Sequence, residues 1–166
     1  KKLILPLRQH IGNMPKIKVN VGDYVLKGQL IAEADGNVSA AIHAPTSGKI
    51  KSIEKLLIPH PSGLPDYCIV ILPDMKDKWI EKNSIDWKKI GIDKTIKLLL
   101  NSGIVGLGGA AFPSHLKLGS NRNNKIETLI VNAAGNLDST AAFFLYHWCH
   151  TKLHRFQRKI RFLRDG

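Results

Sequence analysis

The sequence predicts a small all-β module followed by the opening of an α/β unit. Three observations predict it. Turn signals built on glycine, proline and aspartate recur at short intervals through the first half of the chain. Polar and apolar residues alternate between those turns. After residue 92 the pattern changes to a helix-period stretch, a glycine-rich loop and a β-forming run, in that order.

The β elements follow one another simply. Lys16-Ile17-Lys18-Val19-Asn20-Val21 has the two-residue period of a half-buried strand. Gly22-Asp23 marks a turn, and Val25 to Ile31 resumes strand chemistry around Gly28. Asp35-Gly36 marks a second tight turn. Val38 to His43 is a further strand, closed by the turn Ala44-Pro45-Thr46-Ser47-Gly48. Ile50 to Ile58 and Tyr67 to Leu72 complete a set that reads as a compact barrel or sandwich.

The stretch from Lys76 to Asn83 is charged and weakly patterned, as a connection between domains is. The expected organisation is a β domain over 1–76, a linker over 77–84, a partial α/β domain over 85–137 and a basic tail, helical or disordered, over 138–166. In the α/β part, Asp93 is placed as the N-cap of a helix over Lys94 to Ser102, with Ile96, Leu99 and Leu100 on one face. Gly103 fits the position just past its end.

The loop that follows, Gly103 to Leu118, holds the most informative chemistry. Glycines let backbone N–H groups approach a phosphate or a ring closely. Pro113 and Ser114 suit the first turn of a second helix, and Lys117 then falls within reach of the same place. The segment lacks the Lys-Ser/Thr of a P-loop and has Ala111 where a dinucleotide fingerprint needs its third glycine. By spacing alone it is either an anion site or a tight structural turn. Glu127 to Asn132 reads as a buried strand that ends in Asn132, at the sheet edge where open α/β folds bind ligands.

Composition narrows the alternatives. The 166 residues are 43% apolar and 23% charged, which excludes wholesale disorder and collagen-like sequence. No run approaches the length of a membrane-spanning helix. The two cysteines, Cys68 and Cys149, are too few for a disulfide framework or a four-cysteine metal site. The net charge of +12 divides as +4 over 1–76, +3 over 77–140 and +5 over 141–166, so the excess is concentrated in the tail. A basic polyanion-binding protein is therefore one alternative function. His10 and His60 are candidates for proton transfer or for purely structural roles, and no carboxylate is placed beside either. His147, His150 and His154 share one face of a tail helix, a weak metal signal against a chance run.

Two sets of motifs resemble known families. Val21-Gly22-Asp23-x-Val25-x-x-Gly28-Gln29 with Ala44-Pro45-x-Ser47-Gly48-x-Ile50 resembles the barrel-sandwich hybrid fold of biotinyl and lipoyl carrier domains. Those carriers need an acceptor lysine at a hairpin tip, and none lies between Leu30 and Ala44. A docking or spacer module is the expectation there. The block Gly106-x-Gly108-Gly109-Ala110-Ala111-Phe112-Pro113-Ser114-His115-x-Lys117-Leu118, followed by Thr128 to Ala134, resembles the RnfC subunit of the Rnf ion-translocating electron-transport complex. It is also similar to the flavin-binding subunit of respiratory complex I. Leu7-Arg8-Gln9-His10-Ile11-Gly12, Ala44 to Gly48 and Pro59 to Leu64 match the RnfC family in order and spacing.

The resemblance implies a β barrel-sandwich hybrid followed by an incomplete α/β flavin-binding domain. It implies an electron-input subunit that passes electrons from NADH through FMN to [4Fe–4S] clusters. Its partners would be the other subunits of a membrane complex, and its place the cytoplasmic face of the bacterial inner membrane, as a peripheral subunit. Gly106, Gly108 and Gly109 would line the FMN, Lys117 and Asn132 would hold its phosphate and ribityl region, and Phe112 would pack near the nicotinamide. After Ala134 the sequence departs from the family: Gly135-Asn136-Leu137-Asp138 replaces a glutamate- and cysteine-bearing stretch, and no Cys-x-x-Cys run occurs. The chain is therefore expected to be an N-terminal remnant, inactive by itself. A non-catalytic docking or assembly module that keeps only the β domain is the main alternative.

Overall fold

A computed structural model describes residues 1–60, 62–82, 84–86, 89–106 and 109–119, together with the backbone of 129–132 and 160–163. It divides into two units, Lys1–Ser120 and Asn121–Gly166.

The first unit is built on two antiparallel sheets. Strands β1 (Leu3–Pro6), β2 (Lys16–Ile17), β3 (Tyr24–Val25), β4 (Leu30–Glu33), β5 (Ile42–His43), β6 (Gly48–Leu57) and β7 (Pro65–Pro73) follow in chain order. One sheet has the order β1-β7-β6-β3, the other β2-β4-β5. Alternation explains the packing of the long strands. Ile69 and Ile71 of β7 and Ile50 of β6 turn to the same interior, where they meet Leu7, Val19, Val25, Ile31 and Ile42. Each large aliphatic side chain fully buried there contributes about 1.5–3 kcal/mol. A bulge between Ile50 and Ser52 shifts the register of β6 on β7. Cys68 is buried, and burial pushes its thiol above the ordinary cysteine value, as expected of an inert structural thiol.

The strand regions expected from the sequence are recovered with corrections: of Lys16 to Val21 only Lys16–Ile17 is a strand, and of Val38 to His43 only Ile42–His43. Val25 to Ile31 is not one strand: Gly28, at φ +82°, turns the chain between β3 and β4. Leu3–Pro6 is a strand, pairing Ile4 with Val70 and Pro6 with Cys68. The sequence did not announce it, because it is a short edge strand without alternation.

The stretch after β7 is fastened to the sandwich rather than hanging as a free connection. Ser47 Oγ donates to Asp74 Oδ1 at 2.7 Å and accepts the Lys78 N–H at 2.9 Å. Thr46 Oγ1 donates to Asp77 Oδ1 at 2.7 Å, and Lys27 Nζ lies 2.6 Å from Asp77 Oδ2. Trp79 pairs in parallel with Lys27, and Ile80 N–H donates to the Lys27 carbonyl at 3.0 Å. The Thr46-Ser47 pair singled out in the sequence is therefore the receiving half of a latch.

That latch has a pH signature. The Tyr24 hydroxyl, the Ser47 hydroxyl and the Lys76 N–H all donate to Asp74 and hold its carboxyl down to about 2. A carboxyl depressed in the folded state contributes stability above its ordinary value of about 4 and loses it as pH falls through the folded value. The melting temperature is expected to fall between about pH 4 and pH 2, with Asp74→Asn flattening that part of the profile. Thermal melts across acid pH check this. An acid slope unchanged by the substitution would remove Asp74 from the account.

Helix α1 (Ile92–Asn101) begins earlier than expected, with Gly91 rather than Asp93 at the N-cap and no side-chain cap bond. Asp93 sits inside the first turn, where its charge favours the positive end of the helix. The C-terminal expectation holds in detail. Gly103, at φ +65°, follows the cap residue Ser102. Its N–H donates to the Leu100 carbonyl at 3.2 Å, and the Ile104 N–H donates to Leu99 at 3.4 Å, the paired bonds of a Schellman motif.

In the second unit, β8 (Leu129–Asn132) pairs in parallel with β9 (Ile160–Leu163). The strand expected over 127–132 is present over its last four residues. The tail helix is corrected at its end: Ile160-Arg161-Phe162-Leu163 is a strand, consistent with its alternating, β-favouring residues. The rest of that helix, with the three histidines, lies outside the described residues.

Candidate functional site

The glycine segment forms a hairpin. Gly106 N–H donates to the Phe112 carbonyl at 2.9 Å, Ser114 N–H donates to the Ile104 carbonyl at 3.0 Å, and Val105 bridges Pro113. Residues 104–106 and 112–114 are thus the two arms, with Gly106 in the first and Gly109 between them. Ala111 there has φ 44°, a left-handed conformation that a side-chain-bearing residue adopts only under constraint. The Pro113 ring is buried, and α2 (Ser114–Gly119) starts immediately after it.

The site residues named from the sequence fall into three groups. Gly106, Phe112 and Lys117 come together. Lys117 Nζ lies 2.8 Å from where a Cβ on Gly106 would stand, and 6.0 Å from the centre of the Phe112 ring. The lysine amine therefore lies over backbone kept bare by the glycine. Gly109 lies between the arms, and among the described residues, its chain neighbours aside, no heavy atom comes within 4 Å of its missing Cβ. Gly108 lies outside the described residues, and Asn132 belongs to the second unit as the last residue of β8.

This arrangement fits an anionic ligand with a flat ring. An open glycine backbone provides close approach, a lysine provides charge, and a half-exposed aromatic provides a stacking surface. One expectation changes. α2 has only six residues, so its dipole is short and the lysine and loop amides supply the preference for an anion.

One polar group escaped the sequence reading. His115 is buried, its Nδ1 has no hydrogen-bond partner among the described residues, and burial lowers its pKa below the ordinary histidine value. Nothing in its spacing distinguishes it from an exposed helical histidine. Among the described residues no cluster of histidine, cysteine and acidic side chains has the makings of a metal site. No described helix is long and apolar enough to cross a membrane.

A two-sheet sandwich is followed in this chain by a helix and a glycine hairpin. The family models match in that order, residues 1–76 to the RnfC barrel sandwich hybrid domain and residues 99–136 to the Nuo51 FMN-binding domain. The first 76 residues are thus similar to the RnfC barrel sandwich hybrid domain, and the chain is similar to part of the C-subunits of ion-translocating oxidoreductase complexes. It is 43% identical over 134 residues to the C-subunit of the ion-translocating oxidoreductase complex of Vibrio cholerae, covering 80% of this chain and 17% of that protein. The protein of the same name from Serratia proteamaculans is 43% identical over 80% of this chain and 19% of its own length. The C-subunit of the proton-translocating ferredoxin:NAD(+) oxidoreductase complex of Clostridium ljungdahlii is 43% identical over 80% of this chain and 29% of its own. The chain spans less than a third of the length of each of these curated relatives.

Proposed function

We propose that this chain is the flavin-entry part of an Rnf-type electron-transport subunit, in which the Gly106–Lys117 hairpin holds the phosphate and ring edge of FMN. One observation supports this above the others: the Lys117 amine lies over bare Gly106 backbone, 2.8 Å from where a Cβ on that glycine would stand. When bound, FMN supplies the ability to take up two electrons with a hydride and release them singly. The chain's own residues bind and orient. Gly106, Gly108 and Gly109 present backbone, Lys117 neutralises phosphate charge, and Phe112 packs beside the nicotinamide of NADH. The electrons would pass onward to [4Fe–4S] clusters. Within a whole complex the subunit would sit peripherally, on the cytoplasmic face of the inner membrane, against the other Rnf subunits. The isolated chain is expected to bind FMN without oxidising NADH.

The direct test is titration of FMN followed by its fluorescence. A charge-assisted contact is worth about 1.5–3 kcal/mol, so Lys117→Ala is expected to weaken binding about 10–100-fold. An unchanged affinity would take the phosphate away from Lys117.

A second reading, a docking or assembly module, is favoured by one observation of its own. Leu57 and Leu64, at the end of β6 and in the loop before β7, are 74% and 66% exposed, apolar surface that a flavin site does not need. No FMN binding with the sandwich intact would favour that reading.

A further inference from the structure

The segment Leu7 to Gly12 is distinctive in sequence, yet the flavin reading gives it no task. His10 is buried, and both ring nitrogens are engaged. Nδ1 lies 3.0 Å from the Ile11 carbonyl, and Nε2 accepts the Ala40 N–H at 3.1 Å. A ring nitrogen facing a carbonyl must donate and one facing an N–H must accept, so the neighbours assign a single tautomer, protonated at Nδ1. Two further bonds clip the same stretch. Asn13 N–H donates to the Val38 carbonyl at 2.8 Å, and Ser39 Oγ donates to the Asn13 carbonyl at 3.0 Å. Gly12 permits the close approach: its φ is +102°, and a Cβ there would stand 2.2 Å from the Val38 oxygen. Residues 10–13 are therefore pinned to residues 38–40 on both sides of Ile11.

Ile11 itself turns outward from this clip. Its N–H donates to the Ala110 carbonyl at 2.9 Å, inside the glycine turn and next to the constrained Ala111. Among the described residues the turn is thus held by its own hairpin bonds and by the bond from Ile11, whose neighbours His10 and Gly12 lie against residues 38–40.

We infer that His10 is a positioning residue for the glycine turn: by clamping residues 10–13 it aims the Ile11 N–H at Ala110 and fixes the shape of the ligand cradle. The consequence for binding rests on the FMN reading above; the positioning itself does not.

The experiment uses the full chain and two readouts, amide exchange and FMN titration. His10→Leu leaves the Ala40 N–H buried without an acceptor. The Ala40 and Ile11 amides are expected to exchange at least about tenfold faster, and the FMN dissociation constant to rise about tenfold, while the Ile69 and Ile71 amides keep their protection. His10→Gln, which retains an acceptor and a donor, is expected to restore most of both. Ile11 protection unchanged in His10→Leu overturns the inference. So does faster exchange at Ile11 with unaltered FMN affinity, and so does an equal loss of protection at Ile69 and Ile71 that His10→Gln does not relieve. Should His10→Leu unfold the sandwich, Ser39→Ala loosens the same clip more gently: faster exchange at Ile11 alone supports the inference, and no change overturns it. If the wild-type chain binds no FMN, or Lys117→Ala has no effect, the flavin reading fails, and Ile11 exchange still decides the positioning.

Discussion

Gly103→Val is expected to detach the helix–hairpin part of the first unit from its β-sandwich. Gly103 combines two demands that valine fails. Its φ of +65° is a left-handed conformation that costs a β-branched residue about 1–3 kcal/mol. Its missing Cβ would also stand 2.1 Å from the Ala41 oxygen and 3.1 Å from the Ala41 carbonyl carbon. These are backbone atoms just before β5, so no rotamer change relieves the clash. The same substitution disturbs the Schellman bonds to Leu99 and Leu100 that end α1. Together these effects are expected to exceed about 4 kcal/mol, in the range where a single substitution is diagnostic. The sandwich has its own core of Leu7, Val25, Ile31, Ile50, Ile69 and Ile71 and is expected to remain folded. Limited proteolysis should then cut between residues 84 and 103 while leaving 1–82 protected, and the thermal transition should split. A single transition at the wild-type temperature would mean that Ala41 and Gly103 are not a real seam.

Much of this fold was legible because its punctuation is local. Gly22-Asp23 announces a turn by composition, and the apolar run within Tyr67 to Leu72 announces a buried strand; which of its residues face the core is set by pairing, not by period. The helix end at Gly103 was legible for the same reason, since its left-handed turn follows from a glycine after an apolar run. The start was not: Asp93 is an attractive cap by residue type, but the chain enters the helix at Gly91 without a side-chain bond. What stayed hidden is what depends on distant pairing. β1 is a strand because β7 lies beside it, and the Ser47–Asp74 bond joins residues 27 apart. The glycine turn divides in the same way. Its residue types point to a cradle, whereas its seat on Ile11 comes from a contact that no spacing within the motif encodes.

That division makes Gly109→Val the sharpest test of the cradle. Among the described residues, its chain neighbours aside, no atom lies within 4 Å of the position its Cβ would take, and its φ lies outside the left-handed range, so the described fold has no evident need of glycine there. The melting temperature is expected to stay within about 2 °C of wild type, as for a surface substitution. A ligand has a different view of the same atom. A branched side chain would fill the space through which a phosphate or ring reaches the backbone N–H, removing that hydrogen bond and displacing the ligand from Lys117. Losing two such contacts at about 1.5–3 kcal/mol each predicts a fall in FMN affinity of at least about 100-fold. Gly106→Ala should do less. Its Cβ would meet Lys117 Nζ at 2.8 Å, and the end of a flexible side chain gives way, costing affinity by about tenfold as the amine moves. The expected order of loss is therefore Gly109→Val, then Lys117→Ala, then Gly106→Ala, with the fold intact in all three. Paired melts and FMN titrations read it directly. A Gly109→Val chain that binds FMN as wild type does would place the ligand elsewhere. One that loses several degrees of stability would show that the glycine serves the turn and not a ligand.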